Sequence, residues 1–469
     1  MSEVTENRTY DEINVGDAAS IQRVLTEKDI ALFAGVSGDV NPAHLDDEYA
    51  QETPFHGVVG HGMWGGSLIS AVLGAKLPGH GTIYVSQQMS FRRPVRIGDE
   101  LTVTVRAVEK KDRGRIVFDC ACVNQDGADV IVGRAEVIAP TEKITRPAIK
   151  RPETYVHEGG RRLKALVARA ETGEALRTAI VHPTNAISIE GALAAEARNL
   201  IAPVFVGPRG KIEAAAEAAG ADISAHEIVD APHSHAAADK AVELVRRREV
   251  GALMKGALHT DELMGAVVAR ATGIRTERRV SHVYVMDTPA YPKILFISDA
   301  AINIEPDLNA KRDIAQNAID LARALGLPTP KVAVLSAMET VYPPVPSTID
   351  AAALCKMADR GQIVGGLIDG PLAFDNAISP EAVAAKGIAS EVAGDADILL
   401  VPDLESGNML AKQLDYLAGA VAAGIVLGAQ VPIILTSRAE GVEARVAASA
   451  LTKLFAQHGQ PAKAGGGAH

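Results

Sequence analysis

The pattern of hydrophobic residues changes once along this chain, at a segment rich in proline and charge. Residues 139–162 (APTEKITRPAIKRPETYVHEGGRR) contain three prolines and a Gly-Gly pair, and no hydrophobic period continues through them. Before this segment the pattern is that of a few strands around one apolar helix. After it, short apolar runs alternate with helical stretches. The sequence therefore predicts two different domains, residues 1–140 and 163–469, joined by a linker over residues 141–162.

The first part is predicted to be an α+β domain in which antiparallel strands follow one central helix. Residues 65–77 (GGSLISAVLGAKL) are apolar nearly all round, as a helix enclosed by other structure would be. In residues 101–108 apolar side chains alternate with polar ones, which is the period of a half-buried strand. Turn signals separate the strands that we predict over residues 83–91, 101–108, 115–123 and 129–138.

The second part alternates short apolar runs, such as TAIVH, PVFVG, KVAVLS and VPIILTS, with Ala-rich helical stretches. This βαβα order predicts a mostly parallel sheet with helices on both faces. Roughly 300 residues exceed one such layer, so we expect two α/β lobes with a cleft between them. Residues 417–427 (LAGAVAAGIVL) are apolar throughout and are predicted to form a buried helix.

Composition limits the classes of function that this chain can have. The 58 acidic and 47 basic residues give a formal charge of −11, which argues against a dedicated nucleic-acid binder. The polar, acidic N-terminus is unlike a secretory signal, and no apolar run reaches the ~20 residues of a membrane span. Three cysteines are too few for a disulfide framework. We therefore expect a cytoplasmic protein with no nucleic-acid or membrane partner.

An acid and an imidazole lie five residues apart in the segment SGDVNPAH. Pro42 disfavours helical geometry at Asn41, so we predict a bent loop, not a helix, that could bring Asp39 and His44 together. A carboxylate and an imidazole that share a water can remove one proton and supply another, which suits hydration of a double bond. The alternative is an ordinary turn, in which Asp39 and Asn41 bond the local backbone and His44 caps it.

A short glycine-containing segment, Gly60-His61-Gly62-Met63, precedes the predicted central helix. A glycine amide at a helix N-terminus points its N–H outward, with the helix dipole behind it. Such an N–H at Gly62 could stabilise the oxyanion of a thioester enolate. The alternative is that His61 and Gly62 only start the helix.

These segments resemble the MaoC-like (R)-specific enoyl-CoA hydratases, which have the hotdog fold. The resemblance is carried by FAGVSGDVNPAHLDDEYA, FHGVVGHGM and LPGHGTIYVSQQMSFRRPVRIGDELTVTV, and it covers roughly residues 10–140. It implies that Asp39 and His44 are catalytic, that Gly62 supplies the oxyanion N–H, and that Ser70 helps to orient the catalytic pair. It also implies dimers, and addition of water to a trans-2-enoyl-CoA to give the (R)-3-hydroxyacyl thioester.

Polar and cationic residues follow several predicted strands of the second part. No Walker A pattern and no G-x-G-x-x-G occurs after the linker, so nucleotide hydrolysis and dinucleotide binding lose support. Ser437 and Arg438 follow one strand, and a hydroxyl with a guanidinium at a helix N-terminus suits an anion. The alternative is that Ser437 is an ordinary N-cap. Further candidates for substrate binding, each with the alternative of a turn-forming role, are Lys255, His259, Thr260, Asp299 and Asp369.

The second part resembles the phosphate acetyl/butyryltransferase family from about residue 170 to 455. Segments such as GALMKGALHTDEL, ISDAAINIEPDL, GGLIDGPLAFDNAIS and VPIILTSRAEG carry this resemblance. It implies two α/β lobes with the active site in the cleft, a dimer, acyl transfer between CoA and phosphate, and Ser437 and Arg438 at the phosphate. The aspartate that acetyltransferase members place seven residues after the serine is Ala444 here. This departure resembles the butyryltransferase side of the family and leaves the base for the CoA thiol open.

The sequence as a whole predicts a bifunctional enzyme with an α+β hotdog domain followed by a two-lobed α/β phosphate acyltransferase domain. We expect acyl-CoA, CoA and phosphate as small-molecule substrates, no tightly bound cofactor, no metal, and a homo-oligomer built from dimers. The alternative keeps the transferase active and makes the hotdog domain a non-catalytic module for dimerisation or acyl-CoA binding.

Overall fold

The computed structural model describes residues 4–148, 160–436 and 441–458. The chain forms two compact units, residues 1–156 and 157–469. In chain order, the first unit contains β1 (Val4–Glu6), β2 (Ala18–Val24), α1 (Glu27–Ser37), α2 (Pro42–Leu45), α3 (Asp47–Glu52), α4 (Gly62–Ala75), β3 (Ile83–Phe91), β4 (Glu100–Lys111), β5 (Arg115–Val123), β6 (Asp129–Ile138) and β7 (Thr145–Pro147).

The first unit is an antiparallel sheet packed on one helix. Five strands follow the order β2-β4-β5-β6-β3, and α4 packs its apolar residues against the sheet. Buried α4 residues such as Ile69 and Leu73 meet Val103, Val105 and Phe118 of the sheet, and burial of each such side chain is worth about 1.5–3 kcal/mol. This is the hotdog fold that the sequence predicted. The four predicted strands and the central helix are all present, whereas β2 and α1 were not predicted.

The segment between the two units is shorter than the predicted linker of residues 141–162. At its start, β7 pairs antiparallel with β1, so the first unit continues beyond residue 140. At its end, a helix of the second unit begins at Arg161. Part of the predicted linker, residues 149–159, lies outside the described residues.

The second unit alternates strands and helices along its length. In chain order it contains α5 (Arg161–Ala170), β8 (Leu176–Val181), α6 (Ala186–Ala197), β9 (Ile201–Gly207), α7 (Arg209–Ala218), β10 (Glu227–Asp230), α8 (Ser234–Arg246), β11 (Ala252–Lys255), α9 (Thr260–Val267), β12 (Ser281–Asp287), β13 (Ile294–Ser298), α10 (Leu308–Ala324), β14 (Lys331–Leu335), α11 (Pro346–Asp359), β15 (Leu367–Leu372), α12 (Phe374–Ile378), α13 (Pro380–Lys386), β16 (Ile398–Leu400), α14 (Leu404–Ala418), β17 (Val421–Leu427), β18 (Ile433–Ile434) and α15 (Val442–Gln457).

These strands form one sheet of eleven in the order β10-β9-β8-β11-β18-β17-β12-β13-β16-β14-β15. The strands from β10 to β18 in this order are parallel and form an N-terminal block, and those from β13 to β15 form a parallel C-terminal block. Between the blocks, β17 and β12 pair antiparallel with their neighbours. The two predicted α/β lobes therefore correspond to two blocks of one continuous sheet. The predicted buried helix over residues 417–427 is wrong, because most of it is β17.

The strand register brings the carboxyl ends of both blocks to one row of the sheet, which we call the central row. Directly paired residues run across the strands as Ile180, Met254, Ile434, Ile425, Val283, Ser298, Leu400 and Val334. The blocks run in opposite directions, and their strands end at this row or within two residues of it. Because α/β sheets bind ligands beyond the carboxyl ends of their strands, a second site is expected along the central row.

Among the described residues, no helix has both the length and the apolar character that crossing a membrane requires.

Candidate active sites

The loop after α1 carries Asp39. Gly38 caps the C-terminus of α1, and its φ of 75° lies in the left-handed region that glycine adopts without strain. The Asp39 side chain is exposed and accepts the N–H of Asn41 at 3.3 Å. Asn41 is non-helical, as expected before a proline, but Pro42–Leu45 forms one helical turn, α2. The predicted bend is therefore confirmed, and the predicted absence of any helix is wrong.

His44 lies in that turn with its tautomer fixed. Its Nδ1 is 2.7 Å from the carbonyl oxygen of Val59. Because a carbonyl oxygen only accepts hydrogen bonds, Nδ1 carries the ring proton of the neutral imidazole and Nε2 carries a lone pair. The ring is thus set to accept a proton at Nε2, which is the arrangement that a general base requires.

The sequence interpretation missed a second imidazole in this site, that of His61. Its side chain is 3% exposed, and its Nε2 donates to the main-chain oxygen of Asp39 at 3.0 Å. Its ring lies 4.0 Å from the ring of His44 and 5.1 Å from that of Phe33, centroid to centroid. Among the described residues its buried Nδ1 has no hydrogen-bond partner. The only sequence signal was a histidine before Gly62, which also fits a simple helix start.

Gly62 is the first residue of α4, which begins three residues earlier than the predicted helix over residues 65–77. Its N–H therefore has no partner within the helix, as expected for an amide at a helix N-terminus. It follows His61 directly, which places this amide beside the loop of Asp39 and His44. A Cβ at Gly62 would lie 3.1 Å from the ring of Phe91, so the position has little room for a side chain. Ser70 lies on the exposed side of α4, about 12 Å along the helix axis from Gly62. The orienting role of Ser70 stays a prediction.

Three side chains of this site could hold a metal ion. Single ligand atoms of Asp39, His44 and His61 all lie within 4.8 Å of one another. Each imidazole donates from one ring nitrogen to a main-chain carbonyl, so its other nitrogen offers a lone pair. Histidines that bind metals are oriented by hydrogen bonds of this kind. Without a metal, the same carboxylate and His44 can share a water and move its protons.

In the second unit, two buried cations lie beside the end of β18. Lys255 is 5% exposed and donates to the carbonyl oxygens of Gly256 and Leu258 at 3.3 and 3.2 Å. Arg445 is 2% exposed and donates to the carbonyl oxygen of Lys255 at 3.2 Å. Arg445 was not predicted, and it follows Ala444 directly on α15. The chain beyond β18 therefore begins next to two positive charges.

The predicted phosphate-binding residues, Ser437 and Arg438, lie outside the described residues. Thr436, which precedes them, is 2% exposed, and its hydroxyl has no hydrogen-bond partner among the described residues. His259 caps α9 and Thr260 is the first residue of that helix, which follows the loop after Lys255. The structure thus places Lys255, His259 and Thr260 on one strand-to-helix connection.

The two aspartates proposed for substrate binding occupy different places. Asp299 is 2% exposed, and its carboxylate accepts the N–H groups of Ala301 and Ile302 at 2.9 and 3.0 Å and the side chain of Asn303 at 2.5 Å. Burial raises the pKa of Asp299. These bonds favour the turn-forming alternative for this residue. Asp369 is on β15, six strand spacings from β18, roughly 29 Å along a flat sheet, so the structure does not bring it to Lys255.

Comparison with known proteins finds relatives of both units. Residues 13–123 match the family described as "MaoC like domain", and residues 234–453 match the family described as "Phosphate acetyl/butaryl transferase". A phosphate acetyltransferase of Rhizobium meliloti is 59% identical over 62% of this chain and 92% of its own length. A phosphate butyryltransferase of Clostridium acetobutylicum is 38% identical over 62% of this chain and 97% of its own. The crystal structure of a branched-chain phosphotransacylase from Enterococcus faecalis V583 aligns with a TM-score of 0.53, at 28% identity over 60% of this chain and 99% of its own.

Proposed function

The chain belongs to the phosphate acetyl/butyryltransferase family and carries a MaoC-like domain before the transferase, and we propose that it is a bifunctional enzyme acting on acyl-CoA thioesters. The second unit transfers acyl groups between CoA and phosphate. The first unit, in our proposal, adds water to a trans-2-enoyl-CoA to give the (R)-3-hydroxyacyl thioester. The observation that supports hydration by the first unit is that Asp39, His44 and the start of α4 lie together around His61.

Hydration of an enoyl thioester requires two proton movements and one stabilised charge. The water oxygen bonds to the β-carbon and loses a proton, while the α-carbon gains one. His44, with its lone pair at Nε2, and the carboxylate of Asp39 are the two groups that can carry these protons. The thioester oxygen becomes negative as the β-carbon is attacked, and we assign the stabilisation of that charge to the N–H of Gly62, which begins α4 and has the helix dipole behind it.

Acyl transfer requires a site for an anion. A phosphate oxygen attacks the thioester carbon, the C–S bond breaks, and the CoA sulfur leaves as a thiolate that then takes up a proton. The charges of Lys255 and Arg445 favour an anion beside the end of β18, and we assign the direct hold on phosphate to Ser437 and Arg438, which follow that strand. In the reverse direction a base must take the thiol proton, and Ala444 supplies none.

The acyl chain in this proposal is short. The relative with 59% identity is named a phosphate acetyltransferase, and the one with 38% identity a phosphate butyryltransferase. Acetyl-CoA is therefore the first transferase substrate to test and butyryl-CoA the second.

Two assays on the purified full chain test the proposal. Crotonyl-CoA should lose its enoyl absorbance in buffer alone, and acetyl-CoA or butyryl-CoA should release CoA only when phosphate is present. Absence of hydration would favour a first unit that serves only for dimerisation or acyl-CoA binding. Absence of phosphate-dependent CoA release would contradict the transferase assignment and favour a ligand-binding scaffold.

A further inference from the structure

His282 lies at the point where the two blocks of the large sheet meet. It is the second residue of β12, one position from the central row, and is 1% exposed. Residues at the end of β13 form hydrogen bonds with the main chain of His282. The Ser298 hydroxyl donates to the carbonyl oxygen of His282 at 2.8 Å, and the N–H of His282 donates to the carboxylate of Asp299. The backbone of His282 is therefore fixed to the carboxyl end of the C-terminal block.

The side chain of His282 extends to the other block. Its Nε2 donates to the carbonyl oxygen of Leu435, the residue after β18, and both atoms lie over Gly424 of the intervening β17. A Cβ at Gly424 would be 2.7 Å from each of them, so only glycine leaves this path open. Burial lowers the pKa of His282 to about 4, which keeps the ring neutral and the donor nitrogen defined near neutral pH.

The position of Leu435 matters because the chain leaves the sheet there. The next residue is Thr436, and Ser437 and Arg438 follow it. We propose that His282 is a positioning residue of the transferase. Through its contact with Leu435, His282 fixes the point at which the phosphate-binding segment leaves β18, relative to the turn that Asp299 forms. This inference rests on the proposed function of the second unit and adds to it a residue that contacts neither CoA nor phosphate.

An ordinary core histidine explains these contacts less well. Among the described residues the Nδ1 of His282 is buried without a partner, which costs stability relative to an apolar side chain of similar volume. The glycine at position 424 adds a further cost, because glycine weakens a strand interior. Both costs fall on a contact that connects the functional ends of the two blocks, which is what a geometry-setting role predicts.

The test compares four variants of the full chain by the KM for phosphate and by kcat. His282→Leu removes the donor, His282→Gln keeps an N–H at the same number of bonds from the backbone, and Gly424→Ala places a methyl group between the two hydrogen-bonded atoms. Gly210→Ala is the control, because a Cβ at that glycine meets nothing within 4 Å. Hydration of crotonyl-CoA and the melting temperature are measured on each sample.

We expect His282→Leu and Gly424→Ala to raise the KM for phosphate at least tenfold, His282→Gln to raise it less than threefold, and Gly210→Ala to leave it unchanged. A residue that only supports folding would lower the active fraction, and so kcat, while the KM stayed constant; that result would overturn the inference. Equal KM increases for the leucine and glutamine variants would also overturn it. If His282→Leu does not fold, Gly424→Ala decides. A wild-type chain without phosphate-dependent CoA release would instead contradict the proposed function.

Discussion

The imidazole rings of His44 and His61 lie 4.0 Å apart, with an angle of 35° between their planes. Each ring donates to a main-chain carbonyl of another segment, His44 to Val59 and His61 to Asp39. His61 therefore touches both members of the predicted catalytic pair, one through its backbone and the other through its ring. The geometry of the pair depends on a residue that the motif alone does not identify.

Substitution of His61 should reduce hydration without removing either catalytic group. We expect His61→Phe, which keeps an aromatic ring but loses the donor to Asp39, to lower kcat for crotonyl-CoA by about tenfold to hundredfold, because small misplacements of catalytic groups have effects of that size. His61→Gln keeps a donor and should lose less. The exposed His56 provides the control variant His56→Phe. Wild-type rates in both His61 variants would show that the stacked pair has no part in catalysis.

The two activities should be separable by single substitutions. Asp39→Asn should lower hydration by about 10²–10⁴-fold, because it removes a proton carrier, and should leave acyl transfer intact. Arg438→Ala should abolish transfer or raise the phosphate requirement, and should leave hydration intact. Both activities are measured on each purified variant. Loss of both in one folded variant would indicate that the two sites are coupled.

Hydration should not depend on a metal. The protons can be carried by Asp39 and His44 alone, so dialysis against EDTA should leave the rate unchanged. Added Zn²⁺ should inhibit, because Asp39, His44 and His61 offer ligand atoms within 4.8 Å of one another. His61→Phe should weaken that inhibition. A rate that falls on chelation and returns with a divalent cation would contradict the expectation and make this cluster a catalytic metal site.

Local patterns predicted the strands of the first unit because alternation of apolar and polar residues is a property of neighbouring positions. The predicted strands over residues 83–91, 115–123 and 129–138 have the bounds that the structure shows. Residues 417–427 were wrongly predicted as a helix. An apolar run with no polar face fits a buried helix and a buried strand equally well. Only the pairing of β17 with β12 and β18 decides between the two.

The same distinction applies to the sites. Asp39 and His44 are five residues apart in one bent segment, so the motif predicted their proximity. His61 reaches Asp39 from 22 residues away, and His282 reaches Leu435 across a neighbouring strand. Such contacts depend on strand order and register, which no single-sequence period contains. The central row could not be predicted for the same reason.

The first unit should associate through β3. This strand lies at the edge of its sheet and exposes Ile83, Val85 and Phe91 by 59%, 40% and 52%. An exposed apolar edge strand is a surface for pairing with another strand, so we expect a homo-oligomer in which β3 pairs with its copy. Ile83→Lys should lower the mass measured by light scattering. Val15→Lys, at an exposed apolar residue outside β3, should not. An unchanged mass for Ile83→Lys would contradict this interface.

Acid should destabilise the second unit through His282. Burial lowers its folded-state pKa from an ordinary 6.5 to about 4, so between these values the unfolded chain binds the proton and the folded chain does not. The free energy of unfolding should therefore fall as the pH falls through this window, by about 1.4 kcal/mol per pH unit at most and roughly 3 kcal/mol in total. The raised pKa of Asp299 acts with the opposite sign, because the folded chain then holds a proton more tightly than the unfolded one.

The His282→Gln variant isolates this contribution, since glutamine does not titrate and Asp299 is present in both proteins. Urea unfolding of the second unit, followed in wild type and variant from pH 7 to pH 4, should give a stability difference that shifts in favour of the variant as the pH falls. A difference that stays constant over this range would mean that His282 has an ordinary pKa in the folded chain, and that its ring is not held neutral against Leu435.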